Sequence, residues 1–229
     1  MMFFFVILHL EMKKLIYNKV DKAMISHLKR VEFYGKIYVV TSPVEAEHAV
    51  DYLLSQTILG FDTETRPAFE KGKRYYCSLL QVSTRTECFL FRLNKIGLCP
   101  AVKRLLGDKT VTKVGLAWSN DMLSLRQLGN FEPGHFIDLQ DMVRELGIED
   151  QSLVKIYANL FIERISKAER LSNWERSELT ERQMEYAAID AWACVRIYNE
   201  VSRLLTTRDY ELEVRPDEIV SQNNETGIS

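Results

Sequence analysis

Asp62 and Glu64 are two carboxylates separated by one residue, and they follow a mostly apolar run at 58–61. Because side chains alternate between the two faces of a β-strand, we expect both carboxylates on the same face. Two ionised carboxylates this close repel each other unless a cation lies between them. Hard divalent cations such as Mg²⁺ prefer such oxygen ligands, which they commonly share with a substrate phosphate. Most Asp-x-Glu pairs are solvated surface acids, so a metal site here requires further ligands from elsewhere in the chain.

A third carboxylate, Asp190, lies within a segment of mostly small and apolar residues, 186–194, that predicts a helix interior. Aspartate is a mediocre helix former and costs free energy when it is buried without a partner. The small neighbours allow this helix to approach a sheet closely, so we expect Asp190 to face inward towards a cation. Tyr186 lies one turn earlier on the same face, where its phenol could hold a water molecule in line with a phosphorus atom. Taken alone, this helix is equally compatible with a core tyrosine and a surface aspartate.

A fourth carboxylate, Asp121, follows a predicted buried strand that ends at Gly115. It falls at the start of a predicted helix, where negative charge is favourable, and by itself it needs no further explanation. Together, however, the four acids are what a two-metal phosphodiesterase site requires. One ion would lower the pKa of a bound water molecule, and the other would stabilise the leaving oxygen.

The segments that carry these acids resemble the three motifs of the DEDDy branch of 3′–5′ exonucleases, the group of ribonuclease D and the Werner-syndrome exonuclease domain. The motifs are matched by residues 61–64, by 113–115 followed by Asp121, and by Tyr186 followed one turn later by Asp190. Further matching segments are 78–81, 89–91 and 171–175. The resemblance runs from about residue 37 to residue 205, which is most of the chain.

This resemblance implies a ribonuclease-H-like fold and stepwise release of nucleoside monophosphates from the 3′ end of RNA or DNA. It further implies two divalent cations, Mg²⁺ or Mn²⁺. Asp62, Glu64 and Asp190 would hold the first ion. Asp62 would bridge to the second ion with help from Asp121, and Tyr186 would orient the attacking water. All four acids are present, so the sequence shows no sign of an inactive enzyme.

Five residues near the motifs are candidate contacts to the substrate: Thr63, Gln81, Lys73, Arg74 and Asn120. Two of them belong to a basic and aromatic stretch at 71–76, in a predicted loop after the first motif. Aromatic side chains stack on bases and cations hold phosphates in single-strand grooves. Arg164, Lys167 and Arg170 recur at helical spacing and could follow the strand, although a solvated charged face explains them equally well.

The elements that position these residues follow from apolar periodicity, β-branched residues and helix-capping patterns. Predicted strands lie at 36–40, 58–64, 78–83, 87–93, 110–115 and 136–139. Predicted helices lie at 43–55, 100–106, 120–128, 140–146, 152–160 and 180–205. Early strands, then alternating strands and helices, then helices alone indicate one α/β domain with a mixed central sheet flanked by helices.

The composition is that of an ordinary globular protein, with 46% hydrophobic and 27% charged residues among 229. A formal net charge of −2 argues against a protein that coats nucleic acid electrostatically, but not against an enzyme that grips a few phosphates. The four cysteines show no C-x-x-C pairing, which argues against a zinc or redox site. They are more simply explained as buried free thiols in a reducing cytoplasm.

Three segments are expected along the chain. Residues 1–35 form an N-terminal extension, residues 36–205 the exonuclease-like domain, and residues 206–229 a polar, disordered tail. The extension begins with ten mostly apolar residues that lack the basic start of an export signal and are too short to span a bilayer. We therefore expect no membrane association, and Met12 or Met24 is a more natural start than Met1.

Two alternative functions stay open at this point. The chain could be a non-catalytic nucleic-acid-binding module, or an endonuclease or phosphodiesterase of the same fold. The sequence does not choose between RNA and DNA, because a ribose 2′-hydroxyl is recognised by only a few contacts.

Overall fold

Among the residues that the structure describes, six strands form one mixed central sheet and four short strands lie outside it. The computed structural model describes residues 13–216. The strands are β1 Lys14–Tyr17, β2 Lys29–Arg30, β3 Lys36–Val40, β4 Ile58–Thr65, β5 Cys77–Ser83, β6 Glu87–Phe91, β7 Thr112–Gly115, β8 Phe136–Asp138, β9 Glu163–Arg164 and β10 Tyr210–Glu213.

Helices cover both faces of this sheet. They are α1 Lys22–Ser26, α2 Pro43–Leu53, α3 Leu93–Ile96, α4 Pro100–Gly107, α5 Trp118–Arg126, α6 Leu139–Glu145, α7 Leu153–Phe161 and α8 Glu181–Thr207. The predicted capping boxes are present at Ser42 before α2 and at Thr180 before α8. None of the helices within residues 13–216 combines the length and the apolar character that a membrane span requires.

The sheet order is β3-β6-β5-β4-β7-β8, in which β5 is antiparallel to both of its neighbours and the other pairs are parallel. Helices α2 and α4 share a core with one face of the sheet. Helices α6, α7 and α8 form a second core with the opposite face. The mixed α/β sheet flanked by helices that the sequence predicted is therefore confirmed.

Helix α8 crosses the sheet unusually close to β4. A Cβ atom at Gly60 would lie 1.9 Å from the backbone oxygen of Ala191, so only glycine permits this approach. The alanines of α8 at 187, 188, 191 and 193 are buried, as the prediction of close packing required. The consequence is that α8 brings its own side chains down onto the strand that carries Asp62 and Glu64.

Both ends of the described chain pack against the domain. Strand β1 pairs in parallel with β10, where Leu15 lies opposite Glu211 and Ile16 opposite Leu212. The prediction of a disordered tail from residue 206 is therefore wrong for 210–213. Tyr210 and Leu212 alternate with two glutamates and pack against the core beside α8, which holds the strand in place.

The expected boundary at residue 36 does not separate a loose extension from the domain either, because Ile16 and Val31 are buried in the core. Of the two proposed starts, Met12 lies outside the described residues, as does the polar end of the tail from residue 217, and Met24 lies in α1, after β1.

Candidate active site

Three carboxylates converge where α8 crosses β4. One oxygen from each of Asp62, Glu64 and Asp190 lies within 4.8 Å of the other two. Glu64 is 9% exposed and Asp190 is 6% exposed, so neither carboxylate is well hydrated. The strand and the helix are distant in sequence, and the contact at Gly60 brings them together. Such a group of oxygen donors, without nitrogen or sulfur, fits a hard divalent cation.

The pKa values of all three acids are raised, by burial in each case and by repulsion between carboxylates for Asp62 and Glu64. Burial, followed by repulsion from Asp62 and Asp190, raises the pKa of Glu64 to about 10. Burial raises the pKa of Asp190 to about 7. Burial, followed by repulsion from Asp190 and Asp121, raises the pKa of Asp62 well above its usual range. Without a cation, the cluster therefore holds protons at neutral pH that a divalent ion would replace.

Asp121 stands beside this cluster rather than within its closest group. It lies in the first turn of α5, and its carboxylate accepts a hydrogen bond from the hydroxyl of Thr63. Burial raises the pKa of Asp121 to about 6, and the Thr63 hydrogen bond opposes that shift. Its charge contributes to the raised pKa of Asp62, so the two carboxylates share one electrostatic environment.

Asp138, which the sequence interpretation did not single out, fixes the start of α5. Its two carboxylate oxygens accept hydrogen bonds from the backbone N–H groups of Ala117 and Trp118, at 3.1 and 3.0 Å. Ala117 has φ 54°, a left-handed conformation that this pair of hydrogen bonds stabilises. An aspartate at the end of a short strand, immediately before a helix, was a readable capping signal.

Tyr186 lies one turn before Asp190 on the inner face of α8 and is 8% exposed. Burial, followed by repulsion from Asp190, Glu64 and Asp62, raises the pKa of the Tyr186 phenol. The phenol is therefore neutral and keeps its proton at any physiological pH. Its ring packs near the buried ring of Trp174, with 6.0 Å between centroids, so the hydroxyl is held beside the carboxylates.

The candidate substrate contacts fall into different places. Lys73 and Arg74 are exposed on the loop that follows β4, and Asn120 is exposed at the start of α5. Thr63 contacts Asp121 as described above. Gln81, in contrast, is completely buried in β5, and neither its amide nitrogen nor its amide oxygen has a partner within residues 13–216. The expectation that Gln81 contacts the substrate directly is therefore wrong, because both faces of β5 are covered.

The helical spacing of the basic residues at 164, 167 and 170 does not reflect a helix, because Arg164 belongs to β9 and the other two lie in the irregular segment after it. Lys167 lowers the pKa of Asp190 and Arg170 lowers that of Glu64, so both cations lie near the carboxylates. All four cysteines are buried free thiols, as expected.

Comparison with known proteins gives a consistent result. Residues 37–206 match a family described as 3′–5′ exonuclease. The chain is 30% identical over 153 residues to the mouse bifunctional 3′–5′ exonuclease/ATP-dependent helicase WRN. The aligned region covers 64% of this chain and 11% of that protein. The chain is also 30% identical over 186 residues to exonuclease 3′–5′ domain-containing protein 2 of Drosophila melanogaster. That alignment covers 80% of this chain and 32% of the Drosophila protein. The chain thus spans about a third or less of the length of these relatives.

Solved structures share the fold. The Aedes aegypti Nibbler EXO domain superimposes with a TM-score of 0.69 at 22% identity, covering 81% of this chain and 95% of that one. Escherichia coli RNase D superimposes with a TM-score of 0.64 at 21% identity, covering 77% of this chain and 51% of that one. The expected ribonuclease-H-like fold is confirmed by these neighbours.

Proposed function

The chain belongs to the 3′–5′ exonuclease family, and we propose that it is an active, two-metal member that releases nucleoside monophosphates from the 3′ end of RNA or DNA. The observation that carries this proposal is the convergence of Asp62, Glu64 and Asp190 within 4.8 Å, with Asp121 beside them. Three buried carboxylates repel one another unless a cation lies between them, which supports a metal-dependent enzyme over a non-catalytic module.

The mechanism assigns a role to each side chain. One Mg²⁺ or Mn²⁺ ion would be held by Asp62, Glu64 and Asp190. A second ion would be held by Asp62 and Asp121. When bound, these ions supply an activated water molecule and stabilise the leaving oxygen. The neutral phenol of Tyr186 orients the attacking water by accepting one of its hydrogen bonds. The packing of Tyr186 against Trp174 keeps that phenol oxygen in place between cycles.

The substrate is proposed as the 3′ end of a single strand or a frayed duplex. One structural neighbour, E. coli RNase D, is described as an exoribonuclease involved in structured RNA processing. Another, RNase D of Trypanosoma brucei, is described in complex with RNA. These neighbours support a nucleic-acid substrate, and we propose a reducing, cytoplasmic location from the four free thiols.

A time course on RNA and DNA of matched sequence, labelled at the 5′ end in one set and along the whole strand in another, tests the proposal. With Mg²⁺ or Mn²⁺, we expect a ladder that shortens one nucleotide at a time, and mononucleotides from the first time point. Chelator, or the variants Asp62→Ala and Asp190→Ala, should abolish product while the far-UV spectrum is retained. Internal fragments would indicate an endonuclease instead, and binding without cleavage would indicate a binding module.

A further inference from the structure

A cavity of about 170 Å³ lies directly against Tyr186. One wall is formed by α8, through Arg182 and Tyr186. A second wall is formed by residues 165–169, which follow β9, and the third by Arg30 of β2. Tyr186 lines this cavity and precedes Asp190 by one turn of α8, so the cavity and the carboxylate cluster meet the same part of this helix.

Arg30 reaches this cavity because β2 pairs with β9, with Lys29 opposite Glu163 and Arg30 opposite Arg164. The backbone N–H of Val31 donates to the carbonyl oxygen of Arg164 at 3.0 Å, which continues the pairing by one residue. Arg30 lies outside the 37–206 range that matches the exonuclease family. This wall of the cavity is therefore built by a segment that the family match does not cover.

The charges around the cavity suit an anion. Arg182 has no ion-pair partner within residues 13–216. Arg30 pairs with Glu185 at 3.2 Å, but both side chains are more than 30% exposed, and exposed pairs are weak. Glu169 is the one acid that lines the cavity. Lys167, on the same segment, extends the positive charge towards Asp190.

We propose that this cavity binds a backbone phosphate of the substrate strand, and that Arg30 and Arg182 are the groups that hold it. A guanidinium group matches phosphate oxygens with two parallel N–H donors, which makes arginine suited to this role. The proposal rests on the proposed function, because it takes a nucleic-acid strand as the ligand. It also assigns the N-terminal segment a part in the substrate cleft.

Fluorescence anisotropy of a labelled 12-nucleotide strand in EDTA, at several salt concentrations, tests this assignment without cleavage. Each of Arg30→Ala and Arg182→Ala should weaken binding by roughly tenfold. Each should also reduce the slope of log Kd against log salt by about 0.7, the value for one lost contact to a single strand. Arg182→Lys should keep the slope, because it keeps the charge.

The matched control is Lys109→Ala. Lys109 is exposed and precedes β7 at the start of the parallel β4–β7 pair, so it lies at the opposite end of the sheet from the carboxylates. Its loss should leave both the affinity and the salt slope unchanged. Arginine variants that bind like the wild type, or a wild type that does not bind the strand, would overturn the cavity proposal.

Turnover with Mn²⁺ separates this proposal from the proposed function. If the wild type binds the strand but releases no mononucleotide, the proposed function fails, and the salt slopes alone decide about the cavity. If mononucleotides are released and the arginine variants keep the wild-type KM and affinity, the cavity proposal fails alone. We expect KM to rise roughly tenfold in each arginine variant, with kcat unchanged.

Discussion

The hydroxyl of Thr63 donates a hydrogen bond to the carboxylate of Asp121. Thr63 lies between Asp62 and Glu64 on β4, whereas Asp121 belongs to α5, which follows the neighbouring strand β7. Of the residues of β4, only 58–60 pair with β7. The later part of β4, which carries Asp62 and Glu64, therefore extends past β7 and meets α5 instead. This hydrogen bond links the first acidic pair directly to the fourth acid.

Replacing Thr63 by Val should impair the site in a pH-dependent way. The Thr63 hydroxyl lowers the pKa of Asp121, which burial raises to about 6. Without that hydroxyl the pKa of Asp121 rises further, so more of it is protonated near pH 6 and Mn²⁺ binds more weakly there. We expect Mn²⁺ affinity to fall several-fold at pH 6 and to recover at pH 8, measured by calorimetry. Thr63→Ser keeps the donor and should match the wild type, and equal losses at both pH values would contradict this explanation.

The metal-free protein should lose stability as the pH rises. The folded pKa values of Asp190 and Glu64, about 7 and about 10, are raised above their ordinary values of 3.8 and 4.5. The folded state therefore holds more protons than the unfolded state between about pH 4 and those values, and stability falls with pH across that window. In EDTA we expect a higher Tm at pH 6 than at pH 8.

Asp190→Asn serves as the matched variant for this experiment. It removes one of the repelling charges, so it should raise the Tm at pH 8 and reduce the dependence on pH. Saturating Mn²⁺ should have the same flattening effect on the wild type. A wild-type Tm in EDTA that rises from pH 6 to pH 8 would contradict the assignment of raised pKa values.

Tyr186→Phe should lower kcat without weakening metal binding. The three converging carboxylates are the expected metal ligands, whereas the expected task of the Tyr186 phenol is to orient the attacking water. Misplacing a reacting group by about 1 Å can cost about 10²-fold in rate. The matched control is Tyr157→Phe, which removes a buried phenol that contacts Glu163 and Arg196 instead. An unchanged kcat in Tyr186→Phe would remove this residue from the mechanism.

Gln81→Met should stabilise the metal-free fold. Both polar atoms of the Gln81 amide are buried and have no partner among the described residues, and such an unpaired buried group costs about 1–3 kcal/mol. Methionine has a similar shape and no polar amide, so the free energy of unfolding in EDTA should rise by about 1 kcal/mol or more. Urea unfolding measures this change. A destabilised variant would mean that the amide does have a partner in solution.

Much of this site was predictable from local patterns. Strand alternation placed Asp62 and Glu64 together, and the small residues around Asp190 indicated a helix pressed against a sheet. The role of Gly60 in that contact was not predictable, because the sequence does not show which strand residue lies beneath Ala191.

What the sequence did not predict depends on distant partners. Strand β2 has two residues and β10 has four, and each is ordered by a partner more than a hundred residues away. Segments this short carry too little periodicity to identify as strands. The burial of Gln81 was missed for a related reason, since a strand covered on both faces shows no alternation between polar and apolar positions.

The most direct test of the account is a Mn²⁺ titration of the purified chain, followed by calorimetry and by the shift in Tm. We expect about two Mn²⁺ ions per chain in the wild type and a Tm that rises with Mn²⁺ concentration, because the ions bind only the folded state. Asp62→Asn, which changes the acid shared by both proposed ions, should lose both effects while remaining folded. A wild type that binds no Mn²⁺ and keeps an unchanged Tm at millimolar concentration would contradict the proposed metal site.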